Sequence, residues 1–129
     1  MASCDAVVVT LPLTDNTRSL VDAEALSCMR PQALIVNVGR GAVIDEKALF
    51  DALQQQRIGG AIIDTWYQYP NSEKPVCSPS QFDFASLQNV LMTPHMSGWT
   101  EGTVNRRKHS IADNINRLSA GQPLRNVLA

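Results

Sequence analysis

Two side chains in this sequence carry chemistry from places where a chain can present them. Arg40 stands between Gly39 and Gly41, directly after the apolar run ALIVNV, and His95 follows Thr93-Pro94, directly after NVLMT. A guanidinium offers a planar fork of N–H donors that matches a carboxylate. An imidazole titrates near working pH and can pass a proton. Taken singly, an arginine in a glycine-flanked turn is an ordinary surface residue, and a histidine after Thr-Pro an ordinary surface or core one. Their shared placement just beyond an apolar run is what joins them.

The elements that must position them follow from the pattern. Residues 5–11 (DAVVVTL) read as a buried strand ending at Pro12. Asp22 can cap a helix over 23–29 with Leu26 and Met29 facing inward, and residues 33–38 form a second strand. Asp45 can cap the next helix, whose Leu49, Ala52 and Leu53 make an apolar stripe. Residues 61–64 (AIID) and 89–93 (NVLMT) read as the third and fourth strands. Residues 65–88, with Pro70, Pro75 and Pro79, read as loop with one short helix. Residues 99–120 read as a helix, with Val104, Ile111, Ile115 and Leu118 at helical spacing and Gly121 as its stop.

Strands alternating with helices over short connections imply parallel crossovers and an α/β architecture. Ligands of open parallel sheets sit beyond the carboxyl ends of the strands. That rule selects residues 12–17, 39–41, 64–69 and 95–100, and both Arg40 and His95 are among them.

Composition narrows the classes. The 129 residues are 44% hydrophobic and 18% charged with a formal net charge of −1, which gives no electrostatic reason for a nucleic-acid or anionic-membrane partner. No run of 18 apolar residues and no signal-peptide pattern occurs. Cys4, Cys28 and Cys77 are widely spaced with no CxxC pair, as expected of reduced thiols in a cytoplasmic protein, and no ligand spacing for a metal is present.

The segments VVVTLPLTDNTRSLV, MRPQALIVNVGRGAVIDEKAL, GGAIIDTWYQYP and VLMTPHMSGWT resemble, in order and spacing, the second half of the nucleotide-binding domain of the D-isomer-specific 2-hydroxyacid dehydrogenases. That family includes D-lactate, glycerate, phosphoglycerate and formate dehydrogenases. The resemblance implies a partial Rossmann-type parallel sheet flanked by helices, with residues 1–129 forming the C-terminal portion of the domain through its final helix. It implies NAD or NADP as cofactor, a small 2-hydroxy or 2-oxo acid as substrate, and a homodimer. His95 matches the family's acid/base histidine and Arg40 its substrate-binding arginine. Asp64 matches the aspartate that faces the nicotinamide carboxamide. Thr10, Pro12 and Thr17 fall where the family lines the adenosine side, Val38 and Gly39 lie beside the cofactor, and Ser97 and Gly98 approach the nicotinamide ring.

Two departures matter. Five residues after its aspartate the family carries a glutamate, followed by proline, that orients the histidine. Here the count from Asp64 reaches Tyr69, followed by Pro70. A neutral phenol could orient His95 by a hydrogen bond without lending it a charge; Glu73 or Asp83 are the other acids in that segment that could serve. The second departure is that no GxGxxG occurs, the turn that cradles the dinucleotide pyrophosphate. The expectation is therefore a fragment of a dehydrogenase, inactive alone and binding cofactor weakly or not at all. The alternatives are a non-catalytic, corepressor-like protein-binding module, or a formate-dehydrogenase-like activity, since that branch also lacks the glutamate and shares the tryptophan at Trp66 and the Ser-Gly after the histidine.

Overall fold

The structure, a computed structural model, describes residues 1–128 and divides into two compact units, the first running from Met1 to Met96. In the first unit, strands β1 (Ala6–Val9), β2 (Leu34–Asn37), β3 (Gly60–Ile63) and β4 (Val90–Met92) form one sheet in the order β1-β2-β3-β4, all parallel. Helices α1 (Ala23–Ser27) and α2 (Glu46–Gln54) provide the first two crossovers. Each begins where a side chain satisfies an orphan amide: Asp22 Oδ1 accepts from Ala25 N at 2.9 Å, and Asp45 Oδ1 from Ala48 N at 2.8 Å.

The register explains the burial. Val9, Asn37 and Ile63 pair in one row that continues to Met92, and Val7, Ile35, Ala61 and Val90 share another two residues back. Because successive side chains point to opposite faces, both rows project onto the side that holds the core with Leu26, Leu49, Ala52 and Leu53. The row between them, Val8–Val36–Ile62–Leu91, projects to the other face, where Val8 and Leu91 are exposed.

The strands are shorter than the sequence pattern suggests, but the ladder runs past their ends. Asp5 O accepts from Leu34 N, Val38 N donates to Val9 O, Asp64 N to Asn37 O and Thr93 N to Ile63 O. Residues just outside a strand therefore still share its hydrogen bonds, and the boundary depends on where the ladder is judged to stop.

Two irregular pieces carry weight that periodicity does not reveal. A 3₁₀ turn at Gly41–Val43 follows β2, and Val21 bridges Ile44 in parallel, so the segments after β1 and β2 pair briefly again. Within 65–88 the short helix is a single 3₁₀ turn, Phe84–Ser86. Its Phe84 is 1% exposed and packs edge-on against Phe50 and Trp66, and stacks on Tyr67. Burying such a ring stabilises by about 1.5–3 kcal/mol, so this loop closes the core.

The second unit, from Ser97 onward, is built on α3 (Glu101–Ser119). Thr100 Oγ1 caps it by accepting from Thr103 N at 3.1 Å, and Gly121, at φ +64°, ends it. The chain then folds back on the helix: Asn114 and Arg125 exchange two hydrogen bonds, and Arg117 Nε donates to Pro123 O. Ile111, Ile115 and Leu118 form an exposed apolar stripe. No helix among the described residues is long and apolar enough to cross a membrane.

Candidate active site

The loops after the four strands are fastened to one another in series. The first link needs a glycine. A Cβ at Gly39 would lie 2.6 Å from Leu11 O, and one at Gly41 would lie 2.4 Å from Trp66 O. Any side chain at either place would push backbone from backbone. From sequence these glycines suggest close approach to a ligand. In the structure the approach they allow is to the neighbouring loops, and it draws the segments after β1, β2 and β3 together.

Arg40 lies between them, exposed, in an extended conformation. Its loop is set by Asn37, a residue the sequence reading passed over. Asn37 is 2% exposed, accepts from Gly39 N at 3.1 Å and donates through Nδ2 to Arg40 O at 3.1 Å. The one available signal was an amide at a core-facing register of an otherwise apolar strand, which must find partners where it stands. Arg40 Nη1 donates to its own Gly39 O at 2.7 Å.

Asp64 makes the next link. It is 2% exposed, and its Oδ1 accepts from Thr93 Oγ1 at 2.6 Å and from Met96 N at 2.9 Å. Trp66 makes a parallel one, its indole Nε1 donating to Thr93 O at 2.9 Å. Together they fix both sides of His95, which takes φ +59°, a left-handed conformation that is uncommon for a residue with a side chain and that neighbouring structure must hold in place.

The final link is Tyr69. Its hydroxyl lies 2.9 Å from His95 Nδ1 and accepts from Trp66 N at 2.8 Å, with the two rings 5.6 Å apart. The phenol thus occupies the Nδ1 side of the imidazole. Neither Glu73, whose own backbone amide is taken up by the Asn71 side chain, nor Asp83, at the start of the Phe84 turn, is the partner there.

The remaining sequence candidates are placed as follows. Thr10 and Pro12 are exposed just beyond β1, and Thr17 Oγ1 donates to Pro12 O at 2.7 Å, closing the turn between them. Val38 is half-buried at the end of β2. Ser97 and Gly98 open the second unit, and a Cβ at Gly98 would meet only open space. Tyr67 contrasts with Tyr69: its hydroxyl is buried and has no hydrogen-bond partner among the described residues. Burial first, and then the carboxylates of Glu46 and Asp45, push its phenol well above the ordinary range.

Arg40, Tyr69 and His95 thus stand on linked loops at the carboxyl edge of a parallel sheet. Residues 1–97 match the NAD binding domain of the D-isomer specific 2-hydroxyacid dehydrogenases. The chain belongs to that family.

Among its relatives, the (S)-sulfolactate dehydrogenase of Chromohalobacter salexigens is 33% identical over 117 residues, covering 91% of this chain and 36% of that protein. Glyoxylate/hydroxypyruvate reductase B of Pectobacterium carotovorum is 36% identical over 128 residues, covering 99% of this chain and 38% of that protein. The structure of an NADPH-dependent glyoxylate/hydroxypyruvate reductase from Sinorhizobium meliloti, in complex with NADP and malonate, superposes with a TM-score of 0.72. It is 33% identical and covers 90% of this chain and 34% of the other. Across such curated relatives the chain spans between 22% and 38% of their length.

Proposed function

We propose that residues 1–129 are the C-terminal portion of a NAD(P)-binding Rossmann domain, and that the protein carrying them transfers hydride between nicotinamide and a D-2-hydroxy acid or 2-oxo acid. The observation that carries this reading is the chain of contacts Gly41–Trp66–Tyr69–His95, which ties the arginine's loop to the histidine's.

The residues present fit the nicotinamide end of the cofactor. The bend at Val38 and Gly39 would hold that end, with Asp64 fixing the loop after β3 through Thr93 and Met96. The exposed Thr10 and Pro12, whose turn Thr17 closes, would line the adenosine side. The same residues do not offer a cradle for the pyrophosphate. β1 runs into a turn closed by Thr14 and Thr17 rather than into a helix N-terminus, so other residues would hold that group. When bound, the nicotinamide supplies or accepts the hydride. Arg40 would grip the substrate carboxylate: with one Nη spent on Gly39 O, its other N–H groups are left to form the fork. His95 has its Nδ1 engaged by Tyr69, so the proton is delivered or taken at Nε2.

A cytoplasmic setting fits three free cysteines, and the exposed apolar residues Val8, Leu34 and Leu91 leave area for a second subunit of a homodimer or another domain. In the protein that carries this chain, Arg40→Ala should raise the KM for a 2-oxo acid and lower kcat/KM about 100-fold. His95→Gln should lower kcat between about 100- and 10,000-fold. Unchanged steady-state constants in both variants would remove the dehydrogenase reading.

A further inference from the structure

We infer that Tyr69 donates its hydroxyl proton to His95 Nδ1 and so holds the neutral imidazole as the tautomer with its proton on Nε2. The catalytic meaning of this rests on the dehydrogenase reading above; the tautomer itself rests on donor and acceptor arithmetic.

A phenol has one proton and lone pairs to receive others. Trp66 N, 2.8 Å from Tyr69 Oη, is a backbone amide and can only donate, so it occupies a lone pair and leaves the phenol's own proton unspent. His95 Nδ1, 2.9 Å from the same oxygen, is the ring nitrogen that can receive that proton. Nδ1 then accepts with its ring lone pair, and a neutral imidazole that accepts at Nδ1 carries its hydrogen on Nε2. The groups that hold this pair in place are themselves fixed from both sides. Trp66 is 6% exposed with its indole tied to Thr93 O, and Met96 N, the amide next to His95, is held by Asp64. Tyr69 and the Trp66 amide are positioning groups, acting on the reaction through the histidine.

The consequence is one of polarity at the reacting nitrogen. A carboxylate in place of Tyr69 has only lone pairs, so it would draw the proton to Nδ1 and leave Nε2 bare, ready to accept. Tyr69 does the opposite and presents N–H at Nε2. That form offers a donor to the carbonyl oxygen of a 2-oxo acid, whereas the hydroxyl of a 2-hydroxy acid asks for an acceptor. The neutral site therefore hydrogen-bonds the 2-oxo acid rather than the 2-hydroxy acid, the proton that reduction consumes being given by the imidazolium form.

The chain contains its own control. His109 Nδ1 lies 2.8 Å from Asn105 O, a carbonyl that can only accept, so His109 should carry its proton on Nδ1. Long-range ¹H–¹⁵N correlation spectra of the labelled chain at about pH 8.5, above the ordinary imidazole range, distinguish the two forms directly. The expected result is a bare Nδ1 and protonated Nε2 for His95, with the reverse for His109. Tyr69→Phe should move the His95 pattern toward the mixture of a solvent-facing imidazole, and Tyr69→Glu should transfer its proton to Nδ1, with His109 unchanged in both.

A protonated Nδ1 on wild-type His95, or a His95 pattern identical in wild type and Tyr69→Phe, would overturn the inference. The wild-type spectrum decides by itself if a variant does not fold. Since the readout needs no turnover, the two ideas fail separately. The stated tautomer without hydride transfer sinks the enzyme reading alone, and the reverse tautomer in an active protein sinks only this one.

Discussion

On the core side of the sheet, Leu26, Ile35, Leu49, Leu53 and Ile63 are each 1% or 2% exposed and belong to one continuous apolar cluster. At the strand ends Arg40, Tyr69 and His95 are exposed and are placed by hydrogen bonds to particular partners. The first region is held by area removed from water, which is large and indifferent to orientation. The second is held by interactions that are individually worth about 1 kcal/mol yet fix which atom faces which. Stability and chemistry are thus assigned to different materials, and substitutions should separate them.

The largest effect belongs to the core. Leu49→Ala, removing a side chain that is 1% exposed, should cost about 2–5 kcal/mol, read as a lower urea midpoint. The His95 tautomer signature should survive wherever the chain remains folded. If that signature disappears while the chain is still folded, the two regions are not separable.

Gly41→Ala tests the seam between them. The new methyl would meet Trp66 O and C at 2.4 and 2.5 Å, both backbone, so one loop must yield. A loss of about 1–3 kcal/mol is expected, together with displaced amide signals at Trp66 and Tyr69. A stability loss without those shifts would show that the strain is absorbed on the Arg40 side.

The smallest effect at neutral pH is expected from Tyr67→Phe, within about 1 kcal/mol, since the hydroxyl it removes has no partner among the described residues. The difference should appear in alkali. Burial and the nearby carboxylates raise the Tyr67 phenol in the folded chain. Its stabilising contribution is therefore whole below the ordinary phenol range, about pH 10, and is lost as pH rises through the raised folded value. Wild type should lose stability in that window and Tyr67→Phe should lose less. Parallel pH-stability curves would contradict the assignment.

Much of the scaffold could be read before any coordinates. Asp22 and Asp45 announce their helices because a short acceptor before an apolar period has one obvious use. The four strands stand out because buried parallel strands are apolar on both faces. Phe84 did not stand out, because a single ring in a proline-rich segment has no period to betray it, yet it lies at the centre of an aromatic cluster. Asn37 and the Gly41–Val43 turn were missed for a related reason: each depends on what the next loop is doing.

Arg40 and His95 were visible in sequence because residue type, a following or preceding glycine or proline, and position after a strand are all local facts. That Tyr69 stands where a glutamate is usual was equally visible, being a matter of counting. Which way the Tyr69–His95 hydrogen bond runs was not, since it depends on a third group, the Trp66 amide, brought to 2.8 Å by the fold. Sequence thus determined which imidazole and phenol the loops carry. The tertiary structure alone supplied the Trp66 amide that takes up one acceptor position of the Tyr69 hydroxyl, because the neighbours a hydroxyl meets are set by the fold and not by its place in the chain.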